Sequence, residues 1–388
     1  MTTLSNRALK QGFAPRLNWV AVWLLLVVGS LALTRILYEG LFPRWWWLAR
    51  PLPAISLSLG TAVLLTWVLN RTAGRGLFLL PLGLNLLWLF DPTVDLVGSR
   101  LIFAASLWLA ALLLAREKAA PQAWRWLGVL FVLAALLPIY LLTMPNAVGQ
   151  ADTFEFQVVA PQLGIAHPTG YPLFLLLGKL FTLIPLNTVA WRLNFAVMVY
   201  GLTAVSLLFG LGYRLGARGE VAVLTAVTLG LTPTFWSQAI EAEVYTLHAL
   251  IVVAALFVMR EIGGWRLGEI EDRRSKIDSW LPLLLVFIIG LGLTNHLTTI
   301  FLLPATVLTL LFQRRTTTTL RNPQSAIRNP SRAAAPRFTA RPWAWAALWI
   351  GWSAAVFRGR CNGAPGWTTP RATKSSAASS PPTGAGRT

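Results

Sequence analysis

Again and again this chain runs for the length of a membrane helix without meeting a charged residue. Uncharged stretches cover Leu17–Thr34, Pro51–Asn70, Gly76–Phe90, Leu101–Ala115 and Trp126–Thr143, then Leu193–Tyr213, Val221–Trp236 and Tyr245–Met259. The longest, Ser279–Gln313, continues for 35 residues. A spanning helix needs about 20 mostly apolar residues, so that last run holds two, with a turn expected near Asn295-His296. The set gives ten spans, and Pro342–Phe357 is an eleventh candidate. A soluble fold is excluded by the same pattern. Charged residues make up 12% of the 388, against roughly 25% in ordinary globular chains, too few to cover a water-facing surface. The expected fold class is all-α: a polytopic transmembrane helix bundle of about 10–11 spans in a cell membrane.

The net charge of +19 suggests nucleic acid until it is located. Twelve Lys/Arg and no Asp/Glu lie from Arg314 to Thr388, and the first 313 residues carry the other 21 Lys/Arg with all 14 acids, a net of +7. Scattered Arg at segment ends sets topology, and no basic groove interleaved with aromatics is present, so no nucleic-acid partner is expected. Three regions follow: a four-span membrane region over 1–125, a membrane core over 126–313, and a basic low-complexity tail over 314–388. The tail lacks the apolar content to fold, and its want of acids suggests a shifted or shortened reading frame, at the latest from about Arg358. The first span has a basic flank (Arg7, Lys10, Arg16) without a small-residue cleavage site, which reads as an uncleaved anchor. The single Cys361 excludes a disulfide framework or a cysteine-based metal cluster.

Segment Tyr171–Asn187 decides the topology. If it does not span, the Lys/Arg before residue 314 divide 15 inside to 6 outside with a cytoplasmic N-terminus; if it spans, 9 to 11 with Lys179 in the bilayer. The positive-inside rule selects the first arrangement. Tyr171–Asn187 is then a re-entrant or interfacial helix on the outer face. That choice puts Asp152, Glu155, His167, Arg192, Glu241, Glu243 and His296 together on the extracytoplasmic side.

The chemistry-bearing stretch is the loop after the fifth span. It reads Asp152-Thr-Phe-Glu155, then Leu163-Gly-Ile-Ala-His167-Pro-Thr-Gly170-Tyr171-Pro172. Acids three apart share a face if the stretch is helical, and a carboxylate beside the bilayer can serve as a general base. Two loop acids that merely avoid the membrane have the same pattern. Glu241 and Glu243, two apart, share a face only on extended chain, and Glu243 reads equally as a cap for the helix that follows. His248 reads as a packed intramembrane histidine, and His296 as turn chemistry beside Asn295. The acids and His296 suit a divalent ion by type, but no spacing among them is diagnostic, so neither a metal nor a cofactor is expected.

These blocks together resemble the multi-pass GT-C glycosyltransferases, and more closely the transmembrane protein O-mannosyltransferases once grouped as a domain of unknown function. The first block is Asp152-Thr-Phe-Glu155 with His167-Pro-Thr-Gly170-Tyr-Pro172. It is followed by Ala190-Trp-Arg192-Leu-Asn194, by Trp236-Ser-Gln-Ala-Ile-Glu241-Ala-Glu243-Val-Tyr245-Thr-Leu-His248, and by Gly290-Leu-Gly-Leu-Thr-Asn295-His296. The likeness runs from about residue 126 to 312. It departs where Thr153-Phe154 replaces the family's Ser-Gly and where Thr169 replaces a proline, and neither change removes an ionisable group.

The resemblance implies transfer of a sugar, mannose or similar, from a polyprenyl-phosphate donor to an extracytoplasmic hydroxyl on a protein or an envelope glycan. By the same token Asp152 is the expected general base, with Glu155 beside it. His167, Tyr171, Arg192, Glu241, Glu243 and His296 are the expected contacts to donor phosphate or substrate. Arg192 at a membrane edge suits the growing charge of a lipid-phosphate leaving group, and suits equally a snorkelling side chain at a helix end. A multi-pass transporter or lipid flippase is the alternative, since polar residues near spans also mark substrate pathways; the one-sided cluster and the want of an internal repeat weigh against it. An inactive fragment of the enzyme is the third reading.

Overall fold

In the computed structural model the described residues are 17–72, 76–93, 95–262 and 280–311. The tail, the eleventh candidate span, the N-terminal basic flank and the 263–279 loop lie outside them. All described residues fall in one compact unit, Met1–Thr317, and they are helical with no strand among them.

Six helices are long and apolar enough to cross a bilayer. They are α1 (Trp19–Ile36, continued by a π turn to Leu41), α2 (Pro51–Thr72), α3 (Leu96–Lys118), α4 (Trp124–Thr143), α7 (Val189–Arg214) and α10 (Tyr245–Ile262). Two very short helices, α5 (Ala151–Gln162) and α6 (Pro172–Thr182), separate α4 from α7. The remaining apolar runs are broken. Gly76–Phe90 forms a 3-10 segment, Leu77–Asn85, around Pro81, then one α turn. Val221–Trp236 is divided by Pro233 into α8 (Gly219–Leu231) and α9 (Pro233–Ile240), because a proline with no N–H starts a helix more readily than it continues one. The 35-residue run divides at His296, whose extended backbone ends α11 (Leu281–Asn295) before a second helical stretch, Leu297–Leu311. Asn295-His296 is the turn the sequence called for.

Capping residues are where helix physics wants them. Asn18 accepts from the Ala21 N–H at 2.8 Å, Asp95 from Val97 and Gly98 at 3.1 and 2.9 Å, and Thr188 from Trp191 at 3.2 Å. Each satisfies N–H groups that a first helical turn leaves without partners.

The centre of the bundle is α7. More than half of its membrane-length window is buried, against 11% for α2. One face meets α4, α8 and α9 through Met198, Val205 and Phe209 with Val132, Leu136, Tyr140, Val223 and Ala239. The other meets α5, α6 and α10 through Leu193 and Val197 with Phe156, Phe174, Val244 and Leu247. Close approach depends on small residues: a Cβ at Gly128 would lie 1.9 Å from the Phe209 ring, the kind of contact membrane helices use in place of a hydrophobic driving force. Leu52, Leu64, Trp67 and many other large apolar side chains of α2 point outward, which suits lipid and not water. Between α1 and α2, exposed Trp45, Trp46 and Trp47, with Arg50 stacked 4.5 Å over Trp46, form an interfacial belt.

Candidate active site

The chain leaves α4 at Thr143 and begins its next membrane-length helix, α7, at Val189. The 45 residues between them build much of the site. Helix α5 begins at Ala151 in a left-handed conformation (φ 51°) and ends at Leu163, also left-handed (φ 53°). Its buried face, Thr153, Phe156, Gln157 and Ala160, follows the 3.6-residue period, which leaves Asp152 exposed and Glu155 at the edge. Gly170 (φ 86°) and Tyr171 (φ 45°) then reverse the chain into α6, with Pro172 at its first position. At 11 residues, α6 is about 16 Å long, roughly half of what a hydrocarbon core requires.

Glu155 and His167 lock this loop. One carboxylate oxygen accepts the His167 backbone N–H at 2.7 Å and the other meets Nδ1 at 2.6 Å. The ring's hydrogen bond, then the backbone one, holds the Glu155 carboxyl below its ordinary range. The same bond raises His167 above its ordinary value, against the opposing effect of burial. The His167 ring also packs edge-on to Tyr171 (5.2 Å) and beside Phe156 (5.9 Å).

The second acidic pair arrives from the α9–α10 connection. Its backbone is not helical at 241–243, so two residues apart is a workable spacing. Glu243 is largely withdrawn from solvent, and its Oε1 accepts from the Thr153 hydroxyl at 3.0 Å. Burial pushes its carboxyl up to about 7; the Thr153 hydrogen bond opposes this, and the charges of Asp152 and Glu241 add to it. Glu241 stays exposed and forms one wall of a cavity of about 310 Å³ with Pro145, Gly149, Gln150, Thr153 and Asn194.

Arg192 and His296 are held by partners of their own. The Arg192 guanidinium donates to the carbonyls of Thr182 (2.8 Å), Leu186 (2.6 Å) and Asn187 (3.0 Å). It ties the end of α6 to the start of α7. His296 packs against Tyr245 and His248 (centroids 5.8 and 5.0 Å), and Thr298 lies within hydrogen-bond reach of both histidines.

Three participants carry no charge and gave no charge-based signal. Thr153 links α5 to Glu243. Gln157 and Asn194 form a buried relay: Gly149 N–H donates to Gln157 Oε1 (2.9 Å), Gln157 Nε2 to Asn194 Oδ1 (3.0 Å), and Asn194 Nδ2 to the Pro145 carbonyl (3.0 Å). Two amides on the apolar faces of α5 and α7 were the available clue, since buried amides demand partners. Asp152, Glu155 and His167 offer ligand atoms that all lie within 4.8 Å of one another. That spacing admits a divalent ion, which would have to displace the Glu155–His167 hydrogen bond.

Residues 152–319 match the family model described as the protein O-mannosyl-transferase TMEM260 N-terminal domain. The chain is 33% identical over 189 residues to protein O-mannosyl-transferase TMEM260 of Mus musculus, covering 48% of this chain and 26% of that protein. It is 32% identical over 173 residues to the Dictyostelium discoideum protein of the same description, covering 42% and 21%. The chain thus spans about a quarter of the length of these curated relatives. No solved structure matches it. The resemblance to transmembrane protein O-mannosyltransferases drawn from the sequence blocks holds.

Proposed function

We propose that this membrane core transfers a sugar, mannose by analogy with its relatives, from a polyprenyl-phosphate donor to a hydroxyl acceptor, with Asp152 as general base. The observation that carries the reading is the convergence of Asp152, the Glu155–His167 pair, Glu241 and Glu243 from two separate connections onto one end of the bundle.

In the step, the acceptor oxygen attacks the anomeric carbon, its proton passes to a carboxylate, and the carbon–oxygen bond to the lipid phosphate breaks. The phosphate departs with the electron pair. Glu155 is committed to His167 at both oxygens, whereas Asp152 is exposed beside it; this favours Asp152 for the proton. Glu243, with its raised affinity for a proton, is suited to ease the crowding of negative charge around Asp152. His167, whose hold on a proton Glu155 strengthens, lies within 4.8 Å of Asp152 and is suited, when protonated, to meet a departing phosphate. Arg192, spent on three carbonyls, is better suited to fixing the α6–α7 turn than to meeting the donor.

The side assignment follows from charge. Arg116 and Arg218 meet buried Glu220, and Arg214 and Arg260 meet Glu261, at the far ends of the same helices. Basic residues gather there, as they do on cytoplasmic faces, which would make the Asp152 end extracytoplasmic. The test is transfer of radiolabelled mannose from polyprenyl phosphate to protein in membranes carrying the chain. A glycosidic product supports the reading, and label that crosses the membrane without forming one supports the transporter.

A further inference from the structure

The reaction does not by itself specify what occupies the cavity between the α4–α5 loop and Glu241. Donor sugar, donor phosphate and acceptor would all arrive nearby. Its walls discriminate among them.

We propose that this cavity, walled by Gln150, Thr153, Asn194 and Glu241, is a subsite for the neutral ring of the transferred hexose, and that the donor's phosphate lies outside it. The proposal rests on the sugar-transfer reading above and specifies what that site holds. Three observations carry it.

Charge is the first. Glu241 lies in the wall, Asp152 adjoins Thr153 in sequence, and Glu243 accepts from the Thr153 hydroxyl behind it, while no Lys, Arg or His lines the cavity. A phosphate there would meet the Glu241 carboxylate in the wall, with no Lys, Arg or His lining the cavity to offset it. The basic groups of this region are engaged elsewhere: Lys179 donates to the Pro161 carbonyl, Arg192 to three others, and His167 is paired with Glu155. A polyol has no such conflict, since its hydroxyls donate to carboxylates and both donate to and accept from amides.

Size is the second. About 310 Å³ is at the lower end of small-molecule pockets, roughly 300–1,000 Å³. That suits one sugar ring and is short for a peptide segment or a lipid tail. Pro145, Ala147 and Val148 supply an apolar side for the C–H face of the ring.

Preorganisation is the third. The relay from Gly149 through Gln157 and Asn194 to Pro145 pins the loop to α5 and α7 before any ligand arrives. A wall already ordered loses less freedom on binding, which matters most for a small hydrophilic ligand.

The experiment is ligand-observed saturation-transfer NMR on the full chain in nanodiscs, with methyl α-D-mannopyranoside as probe, methyl glucoside and galactoside in parallel, and inorganic phosphate as competitor. We expect a methyl hexoside to bind and phosphate not to displace it. Glu241→Gln and Gln150→Ala, both at exposed positions, should each weaken binding about tenfold or more, the loss typical of a hydrogen bond to a charged or buried polar partner. No binding by any of the three hexosides, displacement by phosphate, or indifference to both substitutions overturns the subsite. Transfer with hexoside binding indifferent to both substitutions refutes the subsite alone. Binding of the expected pattern in a wild-type chain that transfers nothing refutes the transfer reading and leaves the subsite standing.

Discussion

Thr153 and Glu243 lie 90 residues apart, on different sides of the central helix in sequence, and are joined by a 3.0 Å hydrogen bond. This bond closes the site, because it brings the α9–α10 connection against the helix that carries Asp152. It also favours the ionised form of a carboxyl otherwise disfavoured by burial.

Thr153→Val should therefore raise the Glu243 midpoint above its value of about 7. Infrared titration of the carboxyl stretch, with Glu243→Gln to assign the band, measures it. The lost bond should also destabilise the chain by about 1–3 kcal/mol, the cost of leaving a buried polar group without its partner. An unchanged midpoint would mean that Thr153 does not hold Glu243 in solution.

The Glu155–His167 pair makes the loop's order depend on pH. His167 holds its proton more tightly when folded, so its contribution is complete below about 6.5 and fades as pH rises through the raised value. Glu155 holds its proton less tightly, so its contribution is complete above about 4.5 and fades as pH falls through the lowered value. Protection of residues 163–171 against hydrogen exchange, corrected for intrinsic rates, should be greatest between about 4.5 and 6.5. His167→Gln should remove the alkaline decline. Protection that grows above pH 7 would contradict the pairing.

Arg192→Ala should loosen residues 182–188, and Arg192→Lys should not restore them, since one ammonium cannot serve three carbonyls arranged around a planar fork. Limited proteolysis of that turn gives the readout. A donor KM that rises sharply while the turn stays intact would instead assign Arg192 to the lipid phosphate.

The 26 residues of α7 make it about 39 Å long, enough to put its ends on opposite sides of the bilayer. With Cys361 replaced by Ser, single cysteines at Thr169 and Leu215 should label from opposite faces of sealed vesicles, Thr169 from outside. Labelling of both from one face would overturn the arrangement of spans.

Much of this was legible in the chain because charge is the signal that membranes amplify. Uncharged runs located the long helices, and the break at Asn295-His296 was marked by an Asn-His pair midway along a stretch too long for one span. The acids of both connections and His167 could be named for the same reason. What the sequence withheld was partnership. Arg192 reads alike whether it meets a phosphate or three carbonyls, and nothing local to Thr153 or Asn194 says that each reaches a group dozens of residues away. The divided helices were hidden too, since Pro81 and Pro233 sit inside runs whose hydropathy alone reads as one span.

The central claim is that Asp152 takes the acceptor's proton. Asp152→Asn keeps the volume and hydrogen-bonding capacity of the side chain but cannot take up that proton. Transfer of radiolabelled mannose from polyprenyl phosphate, measured at equal amounts of inserted protein, should fall about 10²–10⁴-fold, the usual contribution of a general base, while Glu155→Gln falls less. Full activity in Asp152→Asn would contradict the account, and loss confined to Glu155→Gln would move the base to Glu155.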